Sequence, residues 1–194
     1  AWEHAMVNAG READRLSVPV VLDPVGAGAT RLRTESAKRL MGEVRISVIR
    51  GNASEILALA RAKSPTLGVD AIHSVDEAAD VAVALAHETD VTVAVTGEID
   101  FVTDGLRAYL VHNGHPIMGR VTGTGCVASA IVAAFLAVDR DGVNGAATAL
   151  AFFGLAGETA AAKSAGPGSF QTALLDSLYA MDEEALRRGA KIKT

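Results

Sequence analysis

Gly123-Thr124-Gly125-Cys126 runs directly into the apolar stretch Val127–Phe135, so a glycine turn opens a helix with the chain's one cysteine in its first turn. Backbone N–H groups at a helix start lack intrahelical partners, and the aligned peptide dipoles place partial positive charge there. That environment favours a phosphate, and it also lowers a thiol pKa from its usual value near 8.5, making a thiolate available as a base. Three further stretches carry polar groups just after short apolar runs: Asp23-Pro24-Val25-Gly26-Ala27-Gly28-Ala29-Thr30, Arg50-Gly51-Asn52-Ala53-Ser54-Glu55, and Thr96-Gly97-Glu98-Ile99-Asp100. Together they offer two carboxylates for a divalent ion (Asp23, Glu55), a fixed cation for phosphate (Arg50), a hydroxyl for a nucleotide (Thr96) and the anion cradle Gly123–Gly125. This is the equipment of phosphoryl transfer, in which positioning and charge neutralisation do most of the work.

These groups serve one reaction only if the fold brings them to one place. Val18–Asp23, Arg45–Arg50 and Val91–Thr96 are continuous apolar runs of strand length, and helical periodicity occupies Thr34–Met41, Ser54–Ala62 and Val75–His87 between them. Alternating strand and helix predicts an α/β fold with a mostly parallel central sheet flanked by helices. In such a sheet ligands bind beyond the carboxyl ends of the strands, where the polar stretches lie, so the site groups are expected to converge on one cavity. Asp104-Gly105, between β-prone segments, predicts a hairpin that adds an antiparallel edge. Three helices follow, at about 126–138, 145–163 and 169–181, the first two expected to be buried because they are apolar or small nearly all round. A helix is also expected from Trp2 to Leu16. Asp182-Glu183-Glu184 with Arg187-Arg188 reads as a solvated helix end.

Composition narrows the function classes. The 194 residues suit one α/β domain, and a chain 49% hydrophobic but only 4% aromatic must build its core from Ala, Val, Leu and Ile, as closely packed helices on a sheet do. A net charge of −5 with interspersed signs gives no basic run to grip a nucleic acid. A single cysteine excludes an internal disulfide and fits a cytoplasmic protein, and no apolar run has the length to cross a membrane. His112 and His115 flank Asn113-Gly114 and read as exposed turn residues, while the chain has neither a P-loop nor a complete dinucleotide fingerprint.

The segments Asp23–Thr30, Arg50–Asn52 with Ser54-Glu55, Val95–Asp100 with Val102–Gly105, Asn113–Pro116, Val121–Cys126 with Ser129, and Gly166–Phe170 resemble hydroxyethylthiazole kinase in order and approximate spacing. Val121-Thr122-Gly123-Thr124-Gly125-Cys126 is the most discriminating, since related members of the ribokinase superfamily usually carry Asp at the cysteine position. The resemblance implies a single ribokinase-like kinase domain that transfers phosphate from ATP to the primary hydroxyl of 4-methyl-5-(2-hydroxyethyl)thiazole, a thiamine precursor, with Mg²⁺ in a cytoplasmic homotrimer whose sites lie near subunit interfaces. It further implies that Asp23 and Glu55 act near the metal, Arg50 and Thr96 bind ATP, Gly123 lies at the substrate, Thr124 and Gly125 shape the anion hole, and Cys126 is the base. The family's opening strands and helices, which supply part of the thiazole pocket, have no counterpart before Trp2. The domain is therefore expected to be N-terminally incomplete, with an exposed sheet edge.

Three alternatives remain at the level of sequence. Another ribokinase-like kinase for a vitamin precursor differs only in its acceptor alcohol. A truncated, non-catalytic copy keeps nucleotide binding without turnover. A cysteine hydrolase needs a histidine base, which no spacing assigns to His112 or His115.

Overall fold

The computed structural model describes residues 2–63 and 75–194. Helix α1 (Trp2–Arg15) leads into β1 (Val21–Leu22), followed by α2 (Arg31–Glu43), β2 (Val48–Asn52), α3 (Ala53–Lys63), α4 (Val75–Thr89) and β3 (Thr92–Thr96). The hairpin β4 (Asp100–Thr103) and β5 (Ala108–Val111) comes next, then a 3₁₀ turn at Pro116–Arg120 and helices α5 (Thr124–Leu136), α6 (Gly142–Ala161), α7 (Pro167–Ala180) and α8 (Glu183–Gly189). Strand β6 (Ile192–Lys193) ends the chain. The strands form one sheet in the order β1-β2-β3-β4-β5-β6, with β1, β2 and β3 parallel and β4, β5 and β6 each antiparallel to its predecessor.

The alternation of side chains along each strand builds two cores. Ile49, Val93, Val95 and Phe101 point to the face covered by α1–α4, where Val7, Leu40, Ile56, Leu59, Ala82 and Leu85 are buried. Val48, Ala94, Val102 and Val111 point to the opposite face, against α5, α6 and α7. Central strands buried on both faces explain why β2 and β3 read as unbroken apolar runs. The small residues of α6 let it lie close to the sheet and to both neighbouring helices, and most of its length is buried.

Several boundaries differ from expectation for local reasons. Only Val21 and Leu22 of the first apolar run pair as a strand. Pro19 has no N–H to give, and the Ser47 and Val48 amides both turn to the Val20 carbonyl. Helix α6 starts at Gly142 because Asp141 caps it, accepting from the Val143 and Asn144 amides, and α7 starts at Pro167, a residue suited to a first helical turn. Asp182 caps a separate helix, α8, with its carboxylate on the Ala185 amide, in place of the expected helix end. The larger correction concerns α5. Ala128, Val132 and Leu136 are buried, but Cys126, Ala130, Ala134 and Ala137 form an exposed apolar side, so this helix is covered on one face only. An apolar groove of about 910 Å³ also runs between α1, α2 and β1, near the exposed side chains of Trp2 and Leu32. Among the described residues no helix is long and apolar enough to cross a membrane.

Candidate active site

Beyond the carboxyl ends of β2 and β3 lies a cavity of about 780 Å³, walled by those strand ends, the β3–β4 turn, the loop after β5 and the first turn of α5. Four of the groups expected from the sequence line it: Arg50, Thr96, Thr124 and Gly125. Arg50 and Thr96 leave neighbouring strands, and Arg50 Nη2 donates to Thr96 Oγ1 at 2.6 Å. Arg50 Nη1 lies 3.6 Å from Asp23 Oδ2, which also accepts a 2.8 Å hydrogen bond from Ser129 Oγ on α5. Strand β1, strand β2 and helix α5 are thereby tied together at one point.

The guanidinium rests against the start of α5. A Cβ on Gly125 would stand 3.0 Å from Arg50 Nη1, so the absence of a side chain admits the cation to this position. Gly123 precedes the helix at φ +95°, the left-handed conformation that favours glycine, and no side chain caps the exposed N–H groups. Thr124 Oγ1 turns instead toward the Met118 and Val121 carbonyls, at 3.1 Å from each. A guanidinium beside the positive end of a helix is an unfavourable pairing that an anion between them reverses. Arg50 Nε is buried without a hydrogen-bond partner, a further unsatisfied donor at the same place.

Asp23, Glu55, Gly123 and Cys126 are not part of the cavity lining, and Asp23 borders instead the groove beside β1. Glu55 Oε1 accepts the Gly26 amide and Oε2 the Asn52 amide, both at 2.9 Å, so this carboxylate fastens the Asp23–Thr30 loop to the β2–α3 turn. Asn52 Oδ1 in turn accepts the Glu55 amide, so Asn52 and Glu55 form a reciprocal cap on α3. Cys126 is exposed. Gly123 is exposed in the same turn.

Sequence reasoning gave no role to two residues of the cavity. His112, expected to be an exposed turn residue, is half-buried in the wall with Nε2 shielded and unpartnered, whereas His115 is exposed and accepts the Ile117 amide through Nδ1. Asp100 accepts the Gly97 amide at 3.0 Å. Burial pushes its carboxyl up to about 6, against the opposing pull of that amide and of Arg50. The available signal was position: Asp100 opens the strand that follows the Thr96 turn, and His112 directly follows a strand.

The pattern of the Hydroxyethylthiazole kinase family matches residues 2–184. The chain belongs to this family. It is similar to the hydroxyethylthiazole kinase of Desulfotalea psychrophila, with 55% identity over all of this chain and 71% of that protein. The hydroxyethylthiazole kinase of Methanocella arvoryzae is 47% identical over 97% of this chain and 71% of its own length. Among solved structures, hydroxyethylthiazole kinase protein from Pyrococcus horikoshii superposes with a TM-score of 0.89 at 40% identity, covering 99% of this chain and 71% of that one. Pyridoxal kinase from Staphylococcus aureus in complex with ADP gives a TM-score of 0.62 at 19% identity over 81% of this chain and 58% of that one, a likeness of fold alone. The fold of this hydroxyethylthiazole kinase family member is ribokinase-like.

Proposed function

We propose that the chain transfers the γ-phosphoryl group of ATP to the primary hydroxyl of 4-methyl-5-(2-hydroxyethyl)thiazole, a step toward thiamine, as one kinase domain in the cytoplasm. The observation that carries this reading is the Arg50 guanidinium held against the uncapped start of α5, beside Thr96 in a cavity of about 780 Å³. Arg50 and Thr96 bind the phosphates of ATP, and the Thr124 and Gly125 amides receive charge that builds on the transferring group. Gly123 leaves room for the thiazole side of the reaction. The Cys126 thiolate takes the alcohol proton as the new O–P bond forms, the bond between the γ-phosphorus and its bridging oxygen breaks, and ADP departs.

Asp23 and Glu55 would hold Mg²⁺. Their hard carboxylate oxygens suit it, since Mg²⁺ is commonly held by one or two carboxylates together with phosphates and water. When bound, the ion neutralises phosphate charge. Asp23 also balances Arg50, and Glu55 keeps the loop that carries Asp23 in place.

We also infer a homotrimer, with sites near subunit interfaces. The exposed apolar side of α5, which begins at the active-site turn, supports it.

The deciding experiment supplies the purified chain with Mg-ATP and a panel of small alcohols, including the hydroxyethylthiazole and pyridoxal-type alcohols, and follows ADP release and phosphoester formation. Turnover of the thiazole alcohol above all others is expected, with loss of ATP binding in Arg50→Ala. Preference for another alcohol overturns the substrate assignment. Nucleotide binding without turnover identifies a non-catalytic copy.

A further inference from the structure

The loop after β5 supplies His112, Asn113, Gly114 and His115 to the cavity wall, yet it has no regular structure of its own. Its position is set from two directions. From below, α6 meets it backbone to backbone, since a Cβ on Gly154 would come within 2.6 Å of the Asn113 carbonyl. One turn further along the same face of α6, Glu158 Oε1 accepts Asn113 Nδ2 at 3.1 Å and the Gly114 amide at 3.0 Å.

From outside, the end of the chain closes over the same loop. Asn113 Nδ2 donates to the Gly189 carbonyl at 2.9 Å, Asn113 Oδ1 accepts the Lys191 amide at 2.7 Å, and the His112 amide donates to the Lys191 carbonyl at 2.9 Å. Lys191 Nζ reaches back to both oxygens of Glu158, at 3.0 and 2.9 Å. Burial raises the Glu158 carboxyl, but Lys191, the Gly114 amide and Asn113 together lower it further, so the group is an ionised acceptor for all of these donors at neutral pH. Asn113 is 4% exposed, and both ends of its amide are bonded. Lys191 lies beyond the 2–184 span matched by the family pattern.

We propose that Glu158, Asn113 and Lys191 form a clamp by which the C-terminal segment sets the nucleotide-side wall of the cavity, making these three positioning residues for ATP. The proposal rests on the reading of the cavity as the ATP site. A loop fixed only by α6 keeps the Gly114 bond to Glu158 but loses the bonds from Lys191 that orient His112 and Asn113, so the wall meets the nucleotide in several geometries and affinity falls. The chemistry at α5 is untouched, because none of the clamp residues belongs to Arg50, Thr96 or the Gly123–Cys126 turn.

The test compares the full chain with a chain ending at Gly189, which lacks Lys191 and β6, and with Glu158→Ala and Glu158→Gln. Amide hydrogen exchange at His112 and Gly114 reads the clamp itself, without nucleotide. Titration with ATP and steady-state kinetics read its consequence. Expected are faster exchange at the His112 amide in the shortened chain, which has lost its Lys191 acceptor, and an approximately tenfold rise in Kd and KM for ATP. The KM for the alcohol and kcat should stay within about twofold. Glu158→Ala should speed exchange at the Gly114 amide and weaken ATP binding to a similar extent, and Glu158→Gln should recover most of that loss, since its amide oxygen still accepts from Asn113 and Gly114. Unchanged exchange in the shortened chain overturns the clamp. Faster exchange with unchanged ATP affinity overturns its positioning role, as does a parallel fall in kcat and both affinities accompanied by a loss of thermal stability. A full chain that binds no ATP overturns the reading of the cavity instead, while exchange still reports on the clamp.

Discussion

At the scale of single residues the site separates into groups with distinct readouts. Cys126 is exposed in the first turn of α5, so it is open both to a substrate hydroxyl and to reagents. Alkylation by iodoacetamide is expected to abolish turnover while leaving ATP binding within about twofold. Cys126→Ala should lower kcat by about 10²–10⁴, the usual worth of general-base assistance, and Cys126→Asp should retain more activity than the alanine variant. Stopped turnover in all three with no difference between Ala and Asp would count against a proton-accepting role. Asp100 gives a separate signature. Its carboxyl is pushed up to about 6 by burial, so the folded chain holds this proton more tightly than the unfolded one, whose carboxyl titrates near 3.8. The contribution of Asp100 to stability is therefore most favourable below that lower value, declines as pH rises through the interval to about 6, and is level above it. Asp100→Asn removes this decline. Compared with the parent, the variant should gain at most about 3 kcal/mol between pH 4 and pH 8, checked by urea unfolding at both values. The meeting of Arg50 and Thr96 in one cavity wall was legible in the sequence because each ends an apolar run. The part Glu55 plays as half of a reciprocal cap with Asn52 was hidden because a capping carboxylate and a metal-binding one are the same residue type at the same helix start.

At the scale of elements, what could be read depended on whether the signal was local. Strands β2 and β3 and the β4–β5 hairpin announce themselves through apolar runs and Asp104-Gly105, and the Asp104 carboxylate does accept the Leu106 and Arg107 amides in that turn. The brevity of β1 and the existence of β6 could not be read in the same way. Two-residue strands have no periodicity, and β6 forms only because β5, about 80 positions earlier, offers an edge. The half-covered state of α5 was misjudged for a related reason: an apolar sequence shows that a surface avoids water, not that this chain supplies its cover. Close packing of α6 gives a prediction at this scale. Gly154→Ala places a methyl group within 2.6 Å of the Asn113 carbonyl, so either the helix or the loop must shift. A cost of about 1–3 kcal/mol is expected in denaturant unfolding, together with weaker ATP binding. An unchanged midpoint would mean the contact is looser than its geometry indicates.

At the scale of the whole molecule, two cores share one sheet, and the cavity sits where the parallel and antiparallel halves of that sheet meet the start of α5. Binding of Mg-ATP to the folded state alone should raise stability by about 2.7 kcal/mol at one hundred times its dissociation constant, visible as a rise in the thermal midpoint. No rise at saturating Mg-ATP would exclude the nucleotide site. Light scattering should return three copies per particle, and Ala130→Glu, on the exposed side of α5, should shift that mass toward one copy without a change of fold. A trimer indifferent to this charge would place the interface elsewhere. Strand order carries a final consequence. Because each of the six strands formed by the described residues lies beside the one made just before it, this part of the sheet can extend outward as the polypeptide leaves the ribosome, with none of the six inserted between two already in place.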